Sequence, residues 1–214
     1  MQRGSLDIHL VLAEAAALAN EAGLANLSLK ALAERLNIKS PSLYNHITSL
    51  DELKQELMAY GWGELCRQLE DVLIGESGDE ALSIACSTFY EYAVRNPGVF
   101  EAMAFCNRND GRMNTEASRA FMGMLIKVLG KRNIREENAC HVMRLVRSFI
   151  EGFALLVNNR AFDESQYAVR ESFDFGVGVI LDCLHKLESE EKNADGPASG
   201  PSFHGEEETA CLIF

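Results

Sequence analysis

The sequence predicts an all-α protein, on three observations. Apolar residues recur at spacings of three and four along nearly all of its 214 residues. Only four prolines interrupt them. No stretch alternates apolar and polar residues long enough to build a strand, and no internal repeat is evident. The expected architecture is about nine helices, three in a small N-terminal module and the rest in a larger body.

Ile8, Val11, Leu12, Ala15, Leu18, Ala19 and Ala22 make the first apolar stripe, which Gly23 closes as a C-cap. Ser28 caps a second helix whose inner face carries Leu29, Leu32, Ala33 and Leu36. Asn37 follows, the residue type other than glycine that most readily takes the left-handed conformation. Ser40 caps a short third helix with Pro41 at its first position and Leu43 and Ile47 inward. Ser49-Leu50-Asp51-Glu52 forms a capping box that opens a long fourth helix, running to about Gly75. Further helices are expected over about 80–95, 99–107, 115–129, 136–159 and 164–187, with a break at Asn96-Pro97-Gly98 and a polar loop over 108–112.

Phe173, Val177, Ile180, Leu184 and Leu187 follow a 4-3-4-3 spacing, a seam suited to a helical bundle, and Gly176 and Gly178 permit close approach. From Glu188 the composition shifts to Glu, Ser, Gly, Pro and Ala, which predicts a flexible tail. The expected organisation is a module over residues 1–48, a helical body over 49–187 and a tail over 188–214.

The formal net charge is −12, which argues against general binding to polyanions. No run of eighteen apolar residues is present, so no membrane partner is expected. The segment Met1–His9 lacks the apolar core of a signal peptide, and the cytoplasm is the expected location. The cysteines at 66, 86, 106, 140, 183 and 211 form no Cys-x-x-Cys pair and are expected to be reduced. Cys140-His141 and Cys183-x-His185 do not have zinc spacing. Without a phosphate loop, a nucleophile elbow or a redox cysteine pair, neither catalysis nor a cofactor is expected.

Residues 28–50 differ from the acidic whole. Lys30, Arg35 and Lys39 face Glu34 alone, a small basic patch. Two short capped helices joined by a tight turn cannot bury their narrow apolar faces alone and must lean on the first helix. The third helix then presents Ser40, Ser42, Tyr44, Asn45 and His46 outward, side chains of the kind that meet phosphates and base edges.

Leu27-Ser28-Leu29-Lys30-Ala31-Leu32-Ala33-Glu34-Arg35-Leu36, followed by Pro41-Ser42-Leu43-Tyr44-Asn45-His46, resembles the DNA-binding module of the tetracycline-repressor (TetR) family. The resemblance covers about residues 8–56 and implies a helix-turn-helix set in the major groove. By position it implies phosphate contacts at Ser28, Ser42, Tyr44 and His46, and base reading at Lys30, Ser40, Ser42 and Asn45, with Lys39 beside them. Many members place a lysine at the start of the fourth helix; Leu50 stands there, with Lys54 one turn on. Phe149-Ile150-Glu151-Gly152-Phe153 resembles part of the family's WHG-type C-terminal domain, without its Trp and His.

The resemblance further implies a homodimeric transcription regulator, a repressor that binds a palindromic operator and is released by a small, mostly apolar effector. The last two helices would pair with their copies, the 173–187 seam lying either at that interface or in the protomer's own core. Trp62, Phe89, Met103, Met122, Phe149 and Phe153 are either plain core or the lining of an effector pocket, with Arg147 and Glu151 as its polar groups or a surface ion pair. Two alternatives are a thiol sensor of the same fold, using Arg67 beside Cys66 or Arg108 near Cys106, and a small all-helical enzyme. Cys211-Leu212-Ile213-Phe214 matches the prenylation pattern, which the bacterial source implied by the resemblance makes meaningless.

Overall fold

A computed structural model describes residues 7–105, 116–129, 132, 134–163 and 167–194. Among these residues there are nine α-helices, one 3-10 turn and no strand. The expected loop at 108–112, Cys106, Arg108, Cys211 and the chain beyond 194 lie outside them. The fold is compacted into two units. One comprises Met1–Glu64 with Tyr92–Ser118, the other Leu65–Glu91 with Arg119–Phe214.

The first unit begins with α1 (Ile8–Ala22), capped by the Asp7 carboxylate, which accepts from the His9 N–H at 3.0 Å. Val11, Leu12, Ala15, Ala16 and Ala19 are its buried stripe. Gly23 ends it at φ 84°, the positive value a C-cap requires, and a 3-10 turn follows over Leu24–Asn26. The helices α2 (Leu29–Arg35) and α3 (Ser40–Leu43) come next. The capping box opens α4 (Leu50–Val72). The Glu52 N–H donates to Ser49 Oγ at 3.0 Å, while the Glu52 carboxylate accepts from the Thr48 hydroxyl and N–H, one residue before the expected partner. These Thr48 bonds hold the Glu52 carboxyl below the usual carboxylate range.

Sequence reasoning put Pro97 and Gly98 in a break; they are instead the first turn of α6 (Pro97–Phe105). Proline has no N–H to lose at that position and its φ suits a helix start. Two glycines set the packing of α6. A Cβ at Gly98 would lie 2.0 Å from the Ala19 carbonyl oxygen of α1, and one at Gly61 of α4 would lie 2.6 Å from Val99 Cγ1. Gly98→Ala therefore forces backbone to move, and a loss of about 1–3 kcal/mol in urea unfolding is the expected result. A variant as stable as the parent would contradict this close approach.

The second unit holds most of α5 (Gly78–Arg95), then α7 (Glu116–Leu129), α8 (Glu136–Asn158) and α9 (Val169–Ala194). Its core is strongly aromatic. Phe173 stacks on Tyr90 at 4.2 Å and on Phe149 at 5.3 Å between centroids, with Phe153 edge-on at 5.4 Å. The Arg170 guanidinium lies over Tyr90 and Phe173 while donating to Glu91, Ser87 and Asp174. A Cβ at Gly176 would lie 2.3 Å from Phe149 Cζ, so this glycine lets α9 approach α8.

Two expectations about α9 are corrected. The helix does not end at 187 but runs to Ala194. Polar partners hold its last turns: Glu188 accepts from Arg132 at 2.9 Å, and buried Glu191 accepts from the Arg135 N–H and from Asn138. The seam is also turned the other way. Phe173, Val177, Ile180 and Leu184 are buried within the single protomer, Val177 being only 6% exposed. Their spacing identified a covered face, and the cover is this chain's own core.

Candidate nucleic-acid interface

The helix-turn-helix is built by local hydrogen bonding before any tertiary contact. Ser28 Oγ accepts from the Ala31 N–H at 3.2 Å and starts α2. The turn after α2 is a Schellman motif: the Ile38 N–H reaches the Ala33 carbonyl and the Asn37 N–H reaches Glu34, both at 3.0 Å. Asn37 holds φ 53°, as its residue type foretold. Leu32, Ala33, Leu43 and Ile47 are buried, which fixes the outward side of both helices.

Lys39, not Ser40, precedes the first residue of α3, and its side chain makes no cap bond. Ser40 is already helical because Pro41, next in line, suits an early helix position. Regular helix stops at Leu43, yet Ile47 and His46 N–H groups still return to the Leu43 carbonyl at 3.0 and 2.9 Å. Tyr44, Asn45 and His46 thus continue the outward surface on a turn. Lys39, Ser42, Tyr44 and Asn45 are exposed, and Ser28, Ser40 and His46 half-buried. Lys30 is exposed on α2, with Glu34 at 3.9 Å.

The basic patch is smaller than the sequence suggested. Arg35 donates to Glu14 Oε2 at 2.7 Å and to both carboxylate oxygens of Glu21 at 2.7 and 2.8 Å. Both carboxylates lie on α1, so Arg35 ties α2 to α1 and its charge is neutralised there. Such solvent-screened surface pairs add little to stability. Their larger consequence is electrostatic: Lys30 and Lys39 carry the patch. Leu50 is half-buried at the start of α4, and Lys54 is half-buried one turn on.

The candidates for an effector pocket fall in both units. Trp62 and Met103 are buried in the first; Phe89 and Met122 are buried and Phe149 and Phe153 half-buried in the second. The structure brings Phe149 and Phe153 together, 5.6 Å apart, within the aromatic cluster, and sets Phe89 edge-on to Phe121 at 5.2 Å. Arg147 and Glu151 form a 2.7 Å ion pair one helical turn apart on α8. Sequence reasoning missed Tyr90, Phe173 and Arg170 as one cluster, reading Phe173 only as part of the apolar seam of the last helix.

The cysteines of the described residues are free thiols. Burial, with Glu70 nearby, pushes the Cys66 thiol up to about 11, and burial pushes Cys86 up to about 12. Arg67 does not offset this, since it pairs with Asp71 at 3.8 Å.

An all-helical chain with an N-terminal helix-turn-helix, a polar outward face and a larger helical body defines the class of helix-turn-helix transcription regulators. Comparison places the chain within it. Residues 11–57 match the model "Bacterial regulatory proteins, tetR family", and residues 82–180 match "Tetracyclin repressor-like, C-terminal domain". The chain belongs to the TetR family. It is 29% identical over 175 residues to the HTH-type transcriptional regulator YobS of Bacillus subtilis, covering 82% of this chain and 91% of that one. It is 29% identical over 143 residues to an HTH-type regulator of Mycobacterium tuberculosis, covering 66% of each. Its fold is similar to that of TetR from Acinetobacter baumannii AYE, at TM-score 0.66 and 22% identity over 86% of this chain and 98% of that one. A variant of that protein, at TM-score 0.62, 22% identity and the same coverage, was solved in complex with minocycline. No helix of the described residues is long and apolar enough to cross a membrane.

Proposed function

We propose that this TetR-family regulator is a cytoplasmic repressor that binds a palindromic operator as a homodimer and is released by a small, mostly apolar effector. The observation that carries the DNA reading is the outward polar surface of a helix-turn-helix whose other face is buried. In this reading Tyr44, Ser42, Ser28 and His46 hold phosphates, and Lys30, Lys39, Ser40, Ser42 and Asn45 approach base edges. Residues 1–48 are the DNA-binding module, and the effector and dimerisation domain runs from 49 to 194, past the expected boundary at 187.

Dimerisation draws support from α8 and α9, on residues other than the expected seam. Leu145, Leu155 and Leu156 on α8 and Phe175 and Val179 on α9 are exposed in the protomer, Phe175 by 75%. Gly152 lies on the Leu145 side of α8, and a Cβ there would meet nothing within 4 Å. The protomer's own packing makes no demand for glycine at that point; close approach of a partner helix does. Large apolar side chains left in water on two adjacent helices are the pattern of an interface. The effector reading draws on the aromatic cluster of the second unit and on the minocycline held by the related Acinetobacter protein. The raised Cys66 thiol disfavours the Cys66 form of the thiol-sensing alternative, because the thiol form is the unreactive one; its Cys106 form lies outside the described residues.

The test is operator selection followed by fluorescence anisotropy. Tyr44→Ala is expected to weaken binding by about 1.5–3 kcal/mol, the value of a hydrogen bond to a charged phosphate. Lys30→Ala should also weaken it and relax the sequence preference at the base pair that Lys30 reads. Unchanged binding by both variants would remove the recognition surface from this segment.

A further inference from the structure

The side chains of α3 and of the turn after it divide by direction. The Tyr44 N–H returns to the Ser40 carbonyl at 3.2 Å and the Ile47 N–H to the Leu43 carbonyl at 3.0 Å, so helical winding carries on from Ser40 to Ile47. At about 100° per residue, Leu43 and Ile47 lie roughly 40° apart around the axis. Both are buried and mark the inward side. The direction opposite them falls on Asn45, with Tyr44 and His46 about 100° to either side. Asn45 and Tyr44 are exposed, and His46 is half-buried.

Pro41 and Ser42 are the other exposed side chains within about 60° of Asn45. Proline has no polar side-chain group, and a single hydroxyl bonds to any base. The Asn45 amide sets a donor beside an acceptor in one plane, which matches the N7 acceptor and N6 amino donor of adenine in the major groove.

Asn45 also differs from the other described asparagines of the first unit. Asparagine is a poor helix former because its side chain competes for nearby backbone groups, and elsewhere in the unit it has a structural use. The Asn20 amide donates to Asn96 Oδ1 at 3.0 Å, Asn26 donates to the Ala22 carbonyl at 2.7 Å, and Asn37 holds the left-handed turn after α2. The Asn45 side chain has no hydrogen bond among the described residues, and its φ is not positive. The backbone beside it is held, since the His46 N–H donates to the Leu43 carbonyl at 2.9 Å. A fixed, outward amide with no partner in its own chain is suited to a partner outside it.

We propose, on the DNA-binding reading above, that Asn45 is a specificity-determining residue that reads one adenine in the half-site. Its Nδ2 donates to adenine N7 and its Oδ1 accepts from the N6 amino group. An α-helix with its side chains is about 10–12 Å across and the major groove about 12 Å wide, so the middle of the outer face meets the base edges and the shoulders meet the walls. Tyr44 and His46, on the shoulders, hold phosphates and carry no sequence preference.

The full chain is taken through selection on a duplex library, beside Asn45→Ala, Asn45→Gln and Tyr44→Ala. The parent's operator is then remade with 7-deazaadenine, which pairs normally but lacks the N7 acceptor, at each adenine of the half-site in turn. At one adenine the replacement should weaken the parent roughly tenfold, as for a bidentate base contact. Asn45→Ala should bind both duplexes alike and select no preference at that position, with the other positions unchanged. Asn45→Gln keeps the donor–acceptor pair and should keep the sensitivity to N7. Tyr44→Ala should weaken every duplex and return the parental sequence. All three variants should keep the parental helical signal, because both positions are exposed. If no adenine shows an N7 effect in the parent, or if the parent and Asn45→Ala lose equally, Asn45 does not read adenine while the DNA-binding reading stands. A parent that selects no sequence at all would overturn both.

Discussion

Val179→Glu is expected to give a folded, monomeric protein. Val179 and Phe175 are exposed on α9 of the protomer, so a carboxylate at 179 keeps its hydration in the single chain. Between two copies it would be buried without a cation, which is strongly unfavourable. Sedimentation should show the monomer, with thermal melting at low concentration little changed. Operator affinity should fall roughly a hundredfold or more, because half the specific contacts are lost. Val177→Glu, two residues away, should behave differently. Val177 is covered by its own protomer, so the charge should damage the fold itself, with loss of helical signal rather than clean dissociation. If Val179→Glu sediments as the parent does, the copies meet elsewhere or not at all.

Arg132→Met should cost about 3 kcal/mol of stability, at the lower end of the range for breaking a buried ion pair. The Arg132 side chain is 5% exposed and donates to Asp79 at the start of α5 and to Glu188 of α9. Its Nε makes no hydrogen bond among the described residues, a cost the two ion pairs offset. Removing the guanidinium leaves two carboxylates facing one another. They retain some water, Asp79 more than Glu188, which keeps the loss from being larger. For a chain of this size the melting temperature should drop by roughly 6–12 °C.

The same pair predicts a pH dependence. Arg132, and then His185 2.8 Å away, hold the Asp79 carboxyl below the usual carboxylate range. A depressed folded value means that the carboxylate's contribution is fully present above its unfolded pKa of about 3.9 and is lost as pH falls through the folded value. Calorimetry between pH 3 and pH 7 should show that acid-side loss in the parent and a flatter curve in Arg132→Met. Equal curves and equal melting temperatures would show that the pair contributes nothing.

The DNA-binding module was legible because its signals are local. Ser28, Asn37, Gly23 and the Ser49–Glu52 box act within one turn of chain, and each is found at work, the Glu52 side of the box one residue early on Thr48. Where a local signal misled, a competing local rule explains it: Pro41 draws Ser40 into the helix, and Pro97 starts α6 instead of ending α5. Arg35 belonged to a different category. As part of a basic segment it read as one charge of the positive patch, and only the placement of Glu14 and Glu21 one helix away shows that charge to be neutralised.

By itself the sequence determined the helix count, the helix-turn-helix and the family, because periodicity, capping and the Leu-Tyr-Asn-His segment are properties of neighbours in the chain. The tertiary structure decided which partner each surface meets. Periodicity marks Val177 as covered but carries no information on whether its own chain or a second copy covers it; α8 and the Tyr90–Phe173 cluster decide that in favour of its own chain. It also leaves Asn20 as an unexplained polar residue near a helix end. The bonds that give it a role join it to Gly98 and Val99, 78 and 79 positions along the chain, and contacts at that separation arise only when the helices pack.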